Sequence, residues 1–105
     1  MPNKRAINDV SRKASRIVAQ EFKNFLSLHG SQRYIIVMKN LARSSLTWAE
    51  LKRTVETKED MTVGQGAITK LLSNLEDASF VAKSDDGTYY IPDPMMIEAA
   101  SNGLI

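Results

Sequence analysis

The chain has 105 residues, 43% hydrophobic and 25% charged, with a formal net charge of +2, which is the size and balance of one soluble domain. It contains no cysteine, which excludes disulfides, thiolate nucleophiles and cysteine-built zinc sites and favours a cytoplasmic location. No apolar run approaches the roughly 20 residues of a membrane span, and no apolar segment follows the basic start MPNKRAINDV, so neither membrane insertion nor a secretory leader is expected.

Residues 5–28 predict a long amphipathic helix. Ile7, Val10, Ala14, Ile17, Val18, Phe22 and Phe25 recur at the spacing of one helical face, and Arg5, Arg12, Arg16 and Lys23 fall on the other. Gly30 can close it in a left-handed cap. Ser31 is a suitable N-cap for a second helix, whose buried stripe is Tyr34, Ile35, Met38, Leu41 and Ala42 and which stops near Arg43-Ser44-Ser45. Thr47-Trp48-Ala49-Glu50 has the spacing of a capping box. The short helix behind it runs to about Glu56 and buries Leu51 and Val55, with a polar turn over residues 57–61.

Thr62-Val63-Gly64-Gln65 repeats the capping logic with Gln in the reciprocal position. The helix that follows runs to about Asp77 and buries Ile68, Leu71, Leu72 and Leu75, although Gly64 and Gly66 weaken its first turn. The period then changes. Residues 80–83 and 88–91 are rich in strand formers, and Ser84-Asp85-Asp86-Gly87 between them carries the Asp-Gly hairpin signal. Pro92 ends the second strand, and Asp93-Pro94 reads as an N-cap followed by proline at the first helical position. A closing helix over 95–100 is expected, with 101–105 fraying.

This order is mainly α with a small β-hairpin: a winged helix-turn-helix over residues 31–105, preceded by an N-terminal amphipathic helix over residues 1–30.

Charge is divided along the chain. Residues 1–58 hold twelve Lys/Arg against four Asp/Glu, a balance of +8, and residues 59–105 hold two against eight, a balance of −6. Such asymmetry marks a nucleic-acid or docking surface, or simply solvated helix faces. If the second helix of the helix-turn-helix enters a major groove, its exposed positions are Gln65, Thr69, Lys70 and Ser73, with Lys83 nearby on the wing, and Lys52 and Arg53 on the more basic part of the chain are further nucleic-acid contacts. Gln and Lys can read base edges. That surface is nevertheless poor in positive charge, with Glu76-Asp77 and Asp85-Asp86 beside it. Arg33, Lys39, Arg43 and the leading helix are more basic, and Arg5, Arg12, Arg16 and Lys23 are alternative phosphate or partner contacts.

No catalytic or metal constellation is legible. His29 is the single histidine and reads as a surface residue. Glu59-Asp60 and Asp85-Asp86 read as solvated turns, since neither continues into the ligand series of a calcium loop. Trp48 reads as a core anchor, and Tyr89 and Tyr90 must point to opposite faces of their strand. No cofactor and no small-molecule substrate are expected.

The segments Leu46-Thr47-Trp48-Ala49-Glu50-Leu51-Lys52, Leu71-Leu72-Ser73-Asn74-Leu75, Phe80-Val81-Ala82-Lys83 and Tyr89-Tyr90-Ile91-Pro92-Asp93-Pro94 together carry a family likeness. The combination resembles the C-terminal winged-helix domain of archaeal P-loop ATPases, an AAA- and STAND-like family. There a tryptophan-bearing helix start precedes the helix-turn-helix, and a tyrosine strand running into an Asp-Pro helix start closes the domain. The leading helix from about Ala6 is similar to the family's connecting helix. The resemblance implies an accessory or regulatory module of an ATPase-type protein that binds double-stranded DNA, with a P-loop ATPase domain or a second copy as partner. The alternative is an interdomain or protein-interaction module without significant DNA binding. The family's nucleotide loop, G-x-x-x-x-G-K-[ST], is missing, because Gly64-Gln65-Gly66 is too short and lacks the lysine. The resemblance therefore implies the accessory domain alone, cut out of a longer protein or as a stand-alone relative.

Overall fold

The computed structural model describes residues 4–105, with side chains described from residue 12 onward. Five helices and three short strands follow one another: α1 (Lys4–His29), α2 (Arg33–Leu41), β1 (Leu46–Thr47), α3 (Trp48–Glu59), α4 (Gln65–Asp77), β2 (Ala82–Lys83), β3 (Thr88–Tyr90) and α5 (Pro94–Ser101). This is the expected winged helix-turn-helix, mainly helical and preceded by a long helix.

Each apolar stripe read from the sequence forms part of one core. Phe22, Val37, Met38, Leu51, Val55, Ile68, Leu72, Leu75 and Met96 are fully buried, so every helix donates its apolar face to a shared interior. Aromatic rings tie α1 to the rest. The Phe22 and Phe80 rings meet edge to face at 5.2 Å, and Phe25 meets Tyr34 at 4.9 Å in the same geometry. Helix α1 packs most extensively on α5, where Ser15 and Ala19 on one helix and Ala99 and Ala100 on the other are all buried. Small side chains on both helices permit this close approach.

On α1 the register differs from expectation at one residue. Ile17 is 62% exposed. The buried positions are Ser15, Ala19, Phe22 and Phe25, and at 100° per residue Ile17 projects about 140° from Phe22. The expected Ile7, Val10 and Arg5 positions lie outside the residues whose side chains are described.

Local signals at helix ends decide several boundaries. At α3 the Thr47 hydroxyl accepts from the Glu50 N–H and the Glu50 carboxylate accepts from the Thr47 N–H, forming the expected capping box. The Thr47 N–H first, and the Thr47 hydroxyl beside the carboxylate second, hold the Glu50 carboxyl below its usual range. Helix α3 continues to Glu59, three residues beyond expectation, because Arg33 Nε donates to both Glu59 carboxylate oxygens at 2.9 Å and ties the last turn to α2. It stops at Asp60, which is left-handed with φ 53°. Ser31 is not the N-cap of α2. Gln32 holds that position without a side-chain bond, and the Ser31 hydroxyl accepts from the Arg33 N–H one turn edge earlier.

The capping box expected at Thr62 does not form. Gly64 occupies the N-cap of α4 with no side-chain bond. The turn is held instead from α3, where Glu56 Oε2 accepts from the Val63 N–H at 2.9 Å and from Lys52 Nζ at 3.1 Å. At the closing helix Asp93 Oδ1 accepts from the Met95 N–H ahead of α5, as expected. Its far end does not fray. Gly103 adopts φ +74°, and the Leu104 N–H reaches back to the Ala99 carbonyl at 2.9 Å, a glycine-terminated cap that returns Ile105 to the core.

The β element has three strands where two were expected. Its order is β1-β3-β2, antiparallel throughout, with Leu46 opposite Tyr89 and Ala82 opposite Tyr90. Leu46–Thr47 is too short to show alternation in sequence. It becomes a strand because β3 would otherwise present an unpaired edge. In the wing turn Gly87 takes φ +88°, the conformation that the Asp-Gly pair supplies. Among the described residues no helix is long and apolar enough to cross a membrane.

Candidate nucleic-acid interface

Helix α4 buries Ile68, Leu71, Leu72 and Leu75. That single choice of register turns Gln65, Thr69, Lys70 and Ser73 outward, and all four are exposed. They lie within one helical face at i, i+4, i+5 and i+8. Asn74, half-buried at the edge of this face, donates to the Tyr34 hydroxyl at 3.0 Å and fixes α4 against α2. The N-terminal turn of α4 has no side-chain cap, and a Cβ added at Gly64 or Gly66 would meet no atom within 4 Å. The first turn is therefore open at the end of the helix where backbone N–H groups favour an anion.

Local hydrogen bonds hold the wing turn. Asp86 Oδ1 accepts from both the Thr88 hydroxyl, at 2.7 Å, and the Thr88 N–H. These two bonds, the hydroxyl first, hold its carboxyl below the usual range, so the wing tip stays anionic. Lys83 is exposed, with Nζ 5.6 Å from the centroid of the Tyr89 ring. Tyr89 itself is buried, and desolvation first and the Glu76 carboxylate second push its phenol up. Tyr90 points the other way and is exposed, so the two tyrosines take the opposite faces expected of them.

The other cations separate into three places. Lys52 is half-buried and ion-paired with Glu56 on the side of α3 that faces the α3–α4 turn. Arg53 is exposed. It lines a groove between α3 and α2. Arg12, Arg16 and Lys23 are exposed and share a stripe of α1 at i, i+4 and i+11; Arg5 lies outside the described side chains. Lys70 is thus the single positive charge on α4. Trp48 is half-buried and packed against the core, and His29 is exposed, its ring 4.2 Å from that of Phe25.

One functional candidate escaped the sequence reading. Lys58 falls within the polar turn expected over residues 57–61, and the continuation of α3 to Glu59 places it on a helix, lining one groove with Lys39, Arg43 and Arg53. The signal was the i,i+4 relation of Lys58 to Thr54, visible only once the helix is known to continue.

Comparison with known proteins agrees with this architecture. Residues 29–92 match the family described as the MCM protein C-terminal winged helix-turn-helix domain. An uncharacterized HTH-type transcriptional regulator of Bacillus subtilis (strain 168), YuzN, is 37% identical over 67 residues, which span 64% of this chain and 73% of that protein.

Proposed function

The chain belongs to the MCM C-terminal winged helix-turn-helix family, and from that premise we propose that it is a non-catalytic module that contacts duplex DNA through α4. The observation that carries this reading is the face formed by Gln65, Thr69, Lys70 and Ser73, solvent-exposed beside an uncapped first turn. Gln65 and Lys70 can meet base edges, Thr69 and Ser73 can bond to bases or phosphates, and the glycine-flanked turn lets a phosphate approach the backbone. The regulator name of the Bacillus relative supports the same direction. The family's place in MCM proteins supports an accessory role beside an ATPase, and the chain itself is assigned no reaction.

With Lys52 paired to Glu56, Lys83 set over Tyr89 and Asp86 held anionic, the interface neutralises few phosphates. Binding is accordingly weak and shallow in its salt dependence. The same poverty of charge favours a second reading, an interdomain module whose α4 face meets protein.

Titration of a labelled duplex at several salt concentrations distinguishes the two. In the DNA reading, Lys70→Ala and Gln65→Ala alter sequence preference. Replacing Arg12 and Arg16 lowers affinity on all sequences alike and flattens the salt slope by about two units if α1 lies along the backbone. Absence of duplex binding even at low salt refutes the DNA reading.

A further inference from the structure

Helices α2 and α3 pack on each other, the start of α2 tied to the end of α3 by the Arg33–Glu59 ion pair. Between them lies an open groove of about 810 Å³, within the size range of ligand sites. Its floor is apolar, formed by Ile35 and Ile36, both half-buried. Its rims are cationic on both sides, with Lys39 and Arg43 from α2 and Arg53 and Lys58 from α3. All four are exposed, none makes an ion pair with a described residue, and no acidic side chain lines the groove.

Of the neutral polar groups that line the groove, Asn40 and Thr54 are already occupied. Asn40 Nδ2 donates to the Ile36 carbonyl at 2.8 Å, and the Thr54 hydroxyl donates to the Glu50 carbonyl at 2.8 Å. Each bond closes on its own helix, so the charge in the groove is that of the four cations, with Gln32 and Thr57 as further polar contacts. A ligand must therefore bring negative charge along both rims. It must also bring apolar side chains, because a phosphodiester strand would satisfy the cations and leave Ile35 and Ile36 facing water.

We propose that the α2–α3 groove is a docking site for an acidic protein segment that carries interspersed apolar side chains. The apolar side chains sit on Ile35 and Ile36 while flanking carboxylates meet Lys39, Arg43, Arg53 and Lys58. The groove is lined by residues 32–43 and 53–58 and by none of Gln65, Thr69, Lys70 and Ser73, so segment and DNA would use different side chains. Charge complementarity governs encounter and the apolar floor supplies specificity.

The test uses fluorescence anisotropy with a labelled peptide, Asp-Glu-Leu-Asp-Glu-Phe-Asp-Asp-Leu, a control in which Leu and Phe become Ser, and a labelled duplex. The full chain is compared with the exposed double variant Arg43→Glu/Lys58→Glu and with Lys13→Glu, a charge reversal on α1 outside the groove. Matching thermal melts establish that each is folded. The expected result is peptide binding that weakens at least about tenfold in the double variant, is unchanged in Lys13→Glu, and is several-fold weaker for the serine control. Amide chemical shifts should move at Ile35, Ile36 and Arg53. The proposal is overturned by absence of peptide binding at low salt, by equal binding of the serine control, or by indifference to the double variant. It is overturned equally if duplex binding falls as far as peptide binding, which makes the groove a nucleic-acid surface. Concentration-dependent self-association in sedimentation that the double variant abolishes would make a second copy the occupant instead.

Discussion

Phe22→Ala tests whether α1 is part of the winged-helix core or an arm that merely precedes it. Phe22 is 0% exposed and sits 5.9 Å from the Phe25 ring and 5.2 Å from the Phe80 ring. Truncating a buried phenylalanine to alanine costs about 3–5 kcal/mol, the transfer term plus the cavity left behind. About 0.5–1.5 kcal/mol of that is expected to be coupling to Phe80, beyond area alone. Domains of this size have total stabilities of about 5–15 kcal/mol, so the variant keeps a fold but with a large fraction of its margin gone. With an m value of about 1.5 kcal/mol/M, the urea midpoint should fall by roughly 2–3 M.

Two probes make that measurement specific. Far-ultraviolet circular dichroism reports all helices including α1. The fluorescence of Trp48, half-buried at the start of α3 and packed on the core, reports the helix-turn-helix. If α1 belongs to the core, both transitions move together by the same free energy, as a two-state unit requires. If Trp48 fluorescence unfolds at the wild-type midpoint while the helical signal is lost early, α1 is an independent arm. A shift below about 1 kcal/mol in both probes would equally refute the packing described.

Two further outcomes follow from the polar groups. Ser15 is 1% exposed, and its hydroxyl has no hydrogen-bond partner among the described residues. Ser15→Ala should therefore stabilise by about 1 kcal/mol, from removal of an unsatisfied hydroxyl and a small gain in helix propensity; a destabilised variant in urea melts would show that the hydroxyl is bonded. The Glu56 carboxyl is held below its usual range, first by the Val63 N–H and then by Lys52. A depressed carboxyl stabilises the fold at pH values above its unfolded pKa, and that contribution disappears as pH falls through the folded value. Wild-type protein should therefore exceed Glu56→Gln in urea midpoint at neutral pH, the difference shrinking from about pH 4.3 downward. A difference that stays constant from neutral to acid pH would mean the carboxylate charge is not what holds the turn.

Most of the fold was legible because short-range physics specified it. The α4 stripe Ile68, Leu71, Leu72 and Leu75, the Thr47 capping box, the Asp-Gly wing turn and the Asp93-Pro94 helix start all depend on residues within one turn of each other, and each formed. The exposed face of α4 followed automatically, since burying one helical face displays the other. What the sequence could not decide was anything set by a partner distant in the chain. Whether Ile17 or Ala19 faces inward depends on how closely α5 approaches α1. Whether Leu46–Thr47 is a strand depends on the free edge of β3, more than 40 residues away. Glu59 reaches the last turn of α3 only because Arg33 waits on α2. Glu56 rather than Thr62 holds the α3–α4 turn. The basic groove is the clearest case: Lys39, Arg43, Arg53 and Lys58 are unremarkable along the chain, and only the packing of α2 on α3 gathers four like charges over two isoleucines. Periodicity reports which side of an element is apolar, but the identity of what covers it is a property of the assembled helices.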